Sequence, residues 1–170
     1  MRCALKRKGV VFLTTTNAMR ILKSAKIDFT VSEYPVDEQD LSGAHAAQML
    51  GVSPDIVFKT LVVRGQKHGL FVCCIPVECE LDLKKLAKLT GDKSVQMIKV
   101  SELLPLTGYV RGGCSPIGMK KKYPTYVDAH ARAYEKIYVS AGVRGQQIVL
   151  APEQLARVTD AQFTDLTQTQ

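Results

Sequence analysis

Residues 56–63 read IVFKTLVV. β-Branched and aromatic residues dominate this stretch, the composition of a buried strand. Lys59 and Thr60 interrupt it at the centre. A second apolar run, LFVCCIPV at 70–77, follows after the polar, glycine-bearing RGQKHG at 64–69. Two apolar runs joined by such a turn predict a β-hairpin. A hairpin set among irregularly interleaved helices and strands argues for a mixed sheet rather than a doubly wound parallel one. In alternation Phe58 and Thr60 face one way, and Val57, Lys59 and Leu61 the other. Lys59 then has two readings. It serves an anion or carbonyl oxygen from a cleft, or it sits on a sheet edge and discourages aggregation. Alternation alone leans slightly to the edge.

Working outward, TTTNAMRILKSAK predicts a helix capped by Thr16 or Asn17, and DFTVSEYPV a strand ending at Pro35. LSGAHAAQMLG predicts a short helix stopped by Gly51. ELDLKKLAKLTG is the clearest helix: Asp82 caps it, Leu83, Leu86 and Ala87 face inward, and Gly91 ends it. Lys84, Lys85 and Lys88 fall on its other face, which reads as solvated. SVQMIKV reads as a strand and SELLPL as a short helical turn. EKIYVSAG and QQIVLA read as further strands, and PEQLARVTD as a helix with Pro152 in its first turn.

The chain has 170 residues, enough for one domain with its own core, and a formal net charge of +7. That surplus favours an anionic partner, nucleic acid first. No segment approaches the roughly 20 apolar residues of a membrane span. The apolar run GVVFL at 9–13 is shorter than the roughly 7–15 residues a signal peptide needs. Residues 1–14 read as a loose basic extension, with the domain at 15–170. The cysteines, at 3, 73, 74, 79 and 114, are odd in number and form no CxxC pair. They suit reduced thiols in the cytoplasm rather than a disulfide framework. His45, His68 and His130 are scattered, so no metal and no cofactor is expected.

GGCSPIGMKKK, residues 112–122, is the segment richest in chemistry. Gly112 and Gly113 allow positive φ and leave backbone N–H groups bare for an anion or carboxyl oxygen. Ser115 adds a hydroxyl and Pro116 stiffens the turn. Lys120, Lys121 and Lys122 supply charge for phosphate. Neither GxxxxGK[ST] nor a strand-borne GxGxxG is present. A tight turn followed by a solvated lysine run explains the same residues. Tyr34 and Ser140 are further polar candidates, each equally explained as core or turn. No histidine is paired by sequence with Cys114, which argues against a cysteine nucleophile.

VFKTLVV, ELDLKKLAKLTG, TGYVRGGCSPIGMKKKYPTYVD and IYVSAGVRG together resemble the YbaK/EbsC family, freestanding relatives of the editing domain of bacterial prolyl-tRNA synthetase. The resemblance covers residues 17–168 and, within the family, is strongest to the Cys-tRNA(Pro) deacylases. It implies a single compact mixed α/β domain, a curved, barrel-like sheet with flanking helices. It implies hydrolysis of the ester that joins a wrong amino acid to the 3′ adenosine of tRNA(Pro). Lys59 then matches the essential lysine. Tyr34, Thr60, Gly112, Gly113, Ser115, Pro116 and Ser140 match substrate-binding positions, and Lys120, Lys121 and Lys122 would meet acceptor-end phosphates. Gln147 stands where many relatives carry an acid. It keeps hydrogen bonding and loses the charge, which removes a general base there. The family also implies participation of the substrate's own thiol, and a transient association with prolyl-tRNA synthetase, with no DNA or membrane partner. An Ala-tRNA(Pro) deacylase and a noncatalytic tRNA- or nucleotide-binding module are the rival expectations.

Overall fold

The computed structural model describes residues 14–169. The proposed basic extension, except Thr14, lies outside them. Elements run α1 (Asn17–Ser24), β1 (Thr30–Glu33), α2 (Gly43–Leu50), β2 (Phe58–Gly65), β3 (Gly69–Pro76), α3 (Leu83–Thr90), β4 (Val95–Met97), α4 (Val100–Thr107), β5 (Thr125–Asp128), β6 (Ile137–Ser140), β7 (Gln146–Leu150), α5 (Pro152–Thr159) and β8 (Gln162–Thr164). The opening stretch and its partner form the β2–β3 hairpin, with Lys59 opposite Ile75 and Thr60 opposite Cys74.

The strands form two sheets. One has the order β1-β7-β6 and the other β4-β2-β3-β5-β8. The larger sheet is mixed: β2, β3 and β4 pair antiparallel, while β3–β5 and β5–β8 are parallel. The architecture is therefore the expected mixed α/β single domain. Its curvature is carried by two sheets, not one closed barrel. A single bridge from Val57 to Tyr138 stitches the start of β2 to β6.

Alternation along the hairpin divides the core. Phe58 and Cys74 join Ala18, Leu22, Ile137, Ile148 and Leu155 in a cluster between the sheets. Val63, Cys73 and Ile75 pack against Leu86 and Leu166 on the opposite face. Successive side chains point to opposite faces of a strand, so the adjacent Cys73 and Cys74 serve different cores.

Local hydrogen bonding explains the helix ends. Thr16 caps α1 by accepting from Met19 N, and Ser42 caps α2 by accepting from His45 N. Asp82 Oδ1 accepts from Lys84 and Lys85 N, at 3.0 and 3.1 Å, and Gly91 ends α3 at φ 74°. Two details of α3 differ from expectation. Leu83 is exposed. Lys85 is not merely solvated, because its Nζ reaches Asp165 at 2.8 Å and the Thr167 carbonyl at 2.7 Å. SELLPL is part of a two-turn helix. Glu102 accepts from Lys99 N at its start and pairs with Arg64 of β2 at 2.8 Å, which holds α4 in place despite Pro105.

Candidate active site

β2 is an interior strand of its sheet, but β4 pairs only with its last residues, 63–65. At its start β2 turns toward β6 of the other sheet. Lys59 and Thr60 emerge there, in the seam between sheets, and both line a cavity of about 260 Å³. The edge reading of Lys59 gives way to the cleft reading. Lys59 is half-buried, and among the described residues its ammonium has no ion-pair or hydrogen-bond partner.

The glycine loop closes on the same cavity. Its two glycines divide the work differently from expectation. Gly112 has φ 82°, where a side chain is strained, and lines the cavity. Gly113 does not line it. A Cβ there would lie 3.0 Å from Arg144 N, so this glycine allows two backbones to touch. Its N–H is not bare either, because it donates to the Val110 carbonyl at 3.0 Å. The free amides are those of Gly112 and Cys114, which donate to no group among the described residues. Both residues line the cavity with Lys59. Together they form a cationic, donor-rich wall suited to an oxygen that gains negative charge.

Tyr34, Ser42, Arg111, Ser140 and Gln147 supply further polar lining, and Leu41, Ala46, Val57, Phe58, Leu61 and Val77 the apolar wall. Tyr34 arrives because β1 pairs with β7 and its own N–H donates to the Gly145 carbonyl at 3.0 Å. Ser140 Oγ accepts from Gly142 N, which fixes the following turn. Gln147 is buried, and its Oε1 has no partner among the described residues. A buried carboxamide left unpaired in a cavity wall is placed to receive a ligand donor. Ser42 and Gly43 bring the N-terminus of α2, with its positive dipole end, to the same wall.

Other expected residues lie elsewhere. Ser115 is buried and its Oγ accepts from Ile117 N, so it shapes the loop from behind. Pro116, Lys121 and Lys122 line a different hollow, beside Ile21 and Thr159. Lys120 lies along Gly108, with its Nζ near the Pro105 carbonyl. Lys122 pairs with Asp160 at 3.4 Å. None of the three lysines lines the Lys59 cavity. Sequence reading missed Arg111 and the Cys114 amide, both beside the glycines already singled out.

Among the described residues that line the cavity, none is an activated nucleophile. Burial pushes the Cys114 thiol up to about 12, so it is protonated at neutral pH. A second hollow, of about 420 Å³, brings Cys79 and His130 together. His130 is hydrogen-bonded through both its ring Nδ1 and its backbone N–H to the buried Asp128. The Cys79 thiol is nevertheless raised above its ordinary value, by burial first and then by the charge of Asp128. Among the described residues no cluster of three or more histidine, cysteine or acidic side chains could hold a metal ion. None of the described helices is long and apolar enough to cross a membrane.

The aminoacyl-tRNA editing domain model matches residues 39–158, which contain Lys59, the glycine loop and Gln147. The chain belongs to this family. EbsC of Enterococcus faecalis, which bears the provisional name Cys-tRNA(Pro)/Cys-tRNA(Cys) deacylase, is 49% identical over 152 residues. That alignment covers 89% of this chain and 93% of EbsC. A 75-residue stretch is 33% identical to the proline–tRNA ligase of Thermosipho africanus, over 44% of this chain and 13% of the ligase. Among solved structures, a protein provisionally described as a trans-editing enzyme for prolyl tRNA synthetase superposes with a TM-score of 0.79 at 25% identity. It covers 92% of this chain and is itself covered completely.

Proposed function

We propose that this editing-family chain hydrolyses the ester of mischarged Cys-tRNA(Pro) in trans, through the single domain of residues 15–170. One observation carries the reading: Lys59, Gly112 and Cys114 line one cavity, the two loop amides have no hydrogen-bond partner among the described residues, and the cavity's own thiol is not activated. An aminoacyl ester is already an activated acyl group. Its hydrolysis is accelerated most by stabilising the tetrahedral oxyanion and fixing the geometry of attack. Lys59 donates to the carbonyl oxygen as charge builds on it, and the loop amides donate from the side. Tyr34, Thr60, Ser140 and Gln147 hold the aminoacyl adenosine.

The missing nucleophile is supplied by the substrate. Its cysteine thiolate adds to its own carbonyl, and the ribose oxygen leaves and takes up a proton. Water then opens the resulting thioester to free cysteine. Discrimination thus rests on a sulfhydryl and not on size alone, since a pocket separates one methylene by only about 1–3 kcal/mol. The partners are the acceptor end of tRNA(Pro) and, transiently, prolyl-tRNA synthetase.

Side-by-side assays with Cys- and Ala-charged tRNA(Pro) test the reading. Faster release of cysteine than of alanine is expected. Preferential release of alanine makes the chain an Ala-tRNA(Pro) deacylase. Salt-sensitive binding without release of either amino acid reduces it to a binding module.

A further inference from the structure

The Lys120–Lys122 run does not border the cavity, which leaves open what meets the phosphate nearest the ester. That phosphodiester is attached to the ribose that carries the amino acid. With the ester at Lys59 it lies close to the same cavity. Two arginines are within reach of that region, one in the cavity lining and one bonded to it. Arg111 lines the cavity and is exposed, and among the described residues its guanidinium has no hydrogen-bond or ion-pair partner. Arg144 lies directly behind it. Its Nε donates to the Arg111 carbonyl at 2.9 Å, and its Nη1 pairs with Glu38 Oε2 at 2.8 Å.

Three segments that contribute to the cavity lining meet at Arg144. Glu38 lies on the segment that carries Tyr34 and Leu41, Arg111 leads into Gly112, and Arg144 leads into Gln147. The Glu38 side chain is 71% exposed, against 32% for Arg144. An exposed carboxylate is a weak partner, because water and salt screen it. Guanidinium groups suit phosphate through paired, directed donors.

We propose that Arg111 and Arg144 form a phosphodiester subsite beside the cavity. Glu38 is its built-in occupant, displaced when the phosphate of the terminal adenosine arrives. This assignment rests on the ester lying at Lys59, as the proposed function requires. It moves the phosphate contact nearest the chemistry from the lysine run to the arginines.

The test compares the RNA dinucleotide CpA, which carries one phosphodiester, with adenosine, which carries none. Equilibrium binding gives the affinity ratio of the two for the full-length protein. The wild type is expected to prefer CpA by about tenfold, the size of one charge-assisted hydrogen bond. Arg111→Gln and Arg144→Gln each lower the ratio, and the double variant brings it close to 1. Glu38→Gln raises it severalfold by removing the competitor. A ratio that survives both arginine changes, or that falls only when Lys120, Lys121 and Lys122 become glutamine, overturns the subsite. The ratio cancels general losses of folded protein. Because it needs no turnover, it separates this proposal from deacylation: a protein that prefers CpA as described but releases no amino acid keeps the subsite and loses the proposed function.

Discussion

Two hollows of this domain hold groups able to act on an ester, and they are built on opposite plans. The one at the seam of the sheets gathers an unpaired ammonium, two free backbone amides and a neutral thiol. The other gathers a thiol, an imidazole and a buried carboxylate behind it, the residue types of a nucleophilic triad. The difference lies in what each group is already doing. In the first hollow Lys59 and the amides of Gly112 and Cys114 await a partner. In the second Asp128 is occupied, because Oδ1 accepts from His130 and Oδ2 from Leu166 N at 2.9 Å, tying β5 to the segment after β8. Burial and the charge of Asp128 shift the Cys79 thiol there toward its neutral form. Residue type suggests chemistry; unspent hydrogen-bonding capacity locates it.

Substitutions in each hollow test this contrast. Lys59→Ala is expected to lower kcat/KM on Cys-tRNA(Pro) by roughly 10²- to 10³-fold, the usual loss of an oxyanion donor, with an unchanged circular dichroism spectrum. Gly113→Ala forces a Cβ to within 3.0 Å of the Arg144 backbone. It should displace the free amides and cost about tenfold in kcat, as misplaced catalytic groups do.

A pH series separates substrate thiol from protein thiol. Burial pushes the Cys114 thiol up to about 12, and burial with the charge of Asp128 raises the Cys79 thiol above its ordinary value, so both resist ionisation more than a free thiol does. The substrate thiol, with an ordinary value of about 8.5, does ionise there. Single-turnover release of cysteine is expected to rise by roughly tenfold or more over that interval as the thiol ionises, and by more than release of alanine. Parallel rises for both amino acids would contradict participation of the substrate sulfhydryl.

Asp128→Ala strands two backbone donors and should cost about 2–4 kcal/mol of stability by urea unfolding, with turnover per folded molecule unchanged. Cys79→Ser should change turnover by less than about twofold, the smallest effect of the set, because a serine hydroxyl keeps the shape of a group that takes no part. Loss of activity there would transfer the chemistry to the second hollow.

Elements set by neighbours in the chain were legible from sequence. Asp82 and Gly91 bound α3 through hydrogen bonds within a few residues, and the Gly-bearing turn announces the hairpin. Two-residue periodicity also sorted the faces of β2. What alternation could not decide was whether the Lys59 face met solvent or a cavity, because β6, nearly eighty positions on, builds that seam. Glycine marks a permissive backbone without saying which amide is spent. Only the turn back to Val110 shows that Gly113 is occupied and Gly112 is not. Lys120, Lys121 and Lys122 stood out by charge, yet the loop carries them past the cavity, Lys120 against the end of α4 and the other two toward α5. Arg144 belongs to no charge cluster, and its partner Glu38 lies 106 positions away.

The most direct test is a crystal structure with 3′-cysteinylamino-3′-deoxyadenosine, in which an amide replaces the labile ester. The carbonyl oxygen is expected within about 3 Å of Lys59 Nζ and of the Gly112 or Cys114 amide, in the geometry of an oxyanion site. An analogue seated beside Cys79 and His130, or one whose carbonyl turns away from Lys59, would contradict the account.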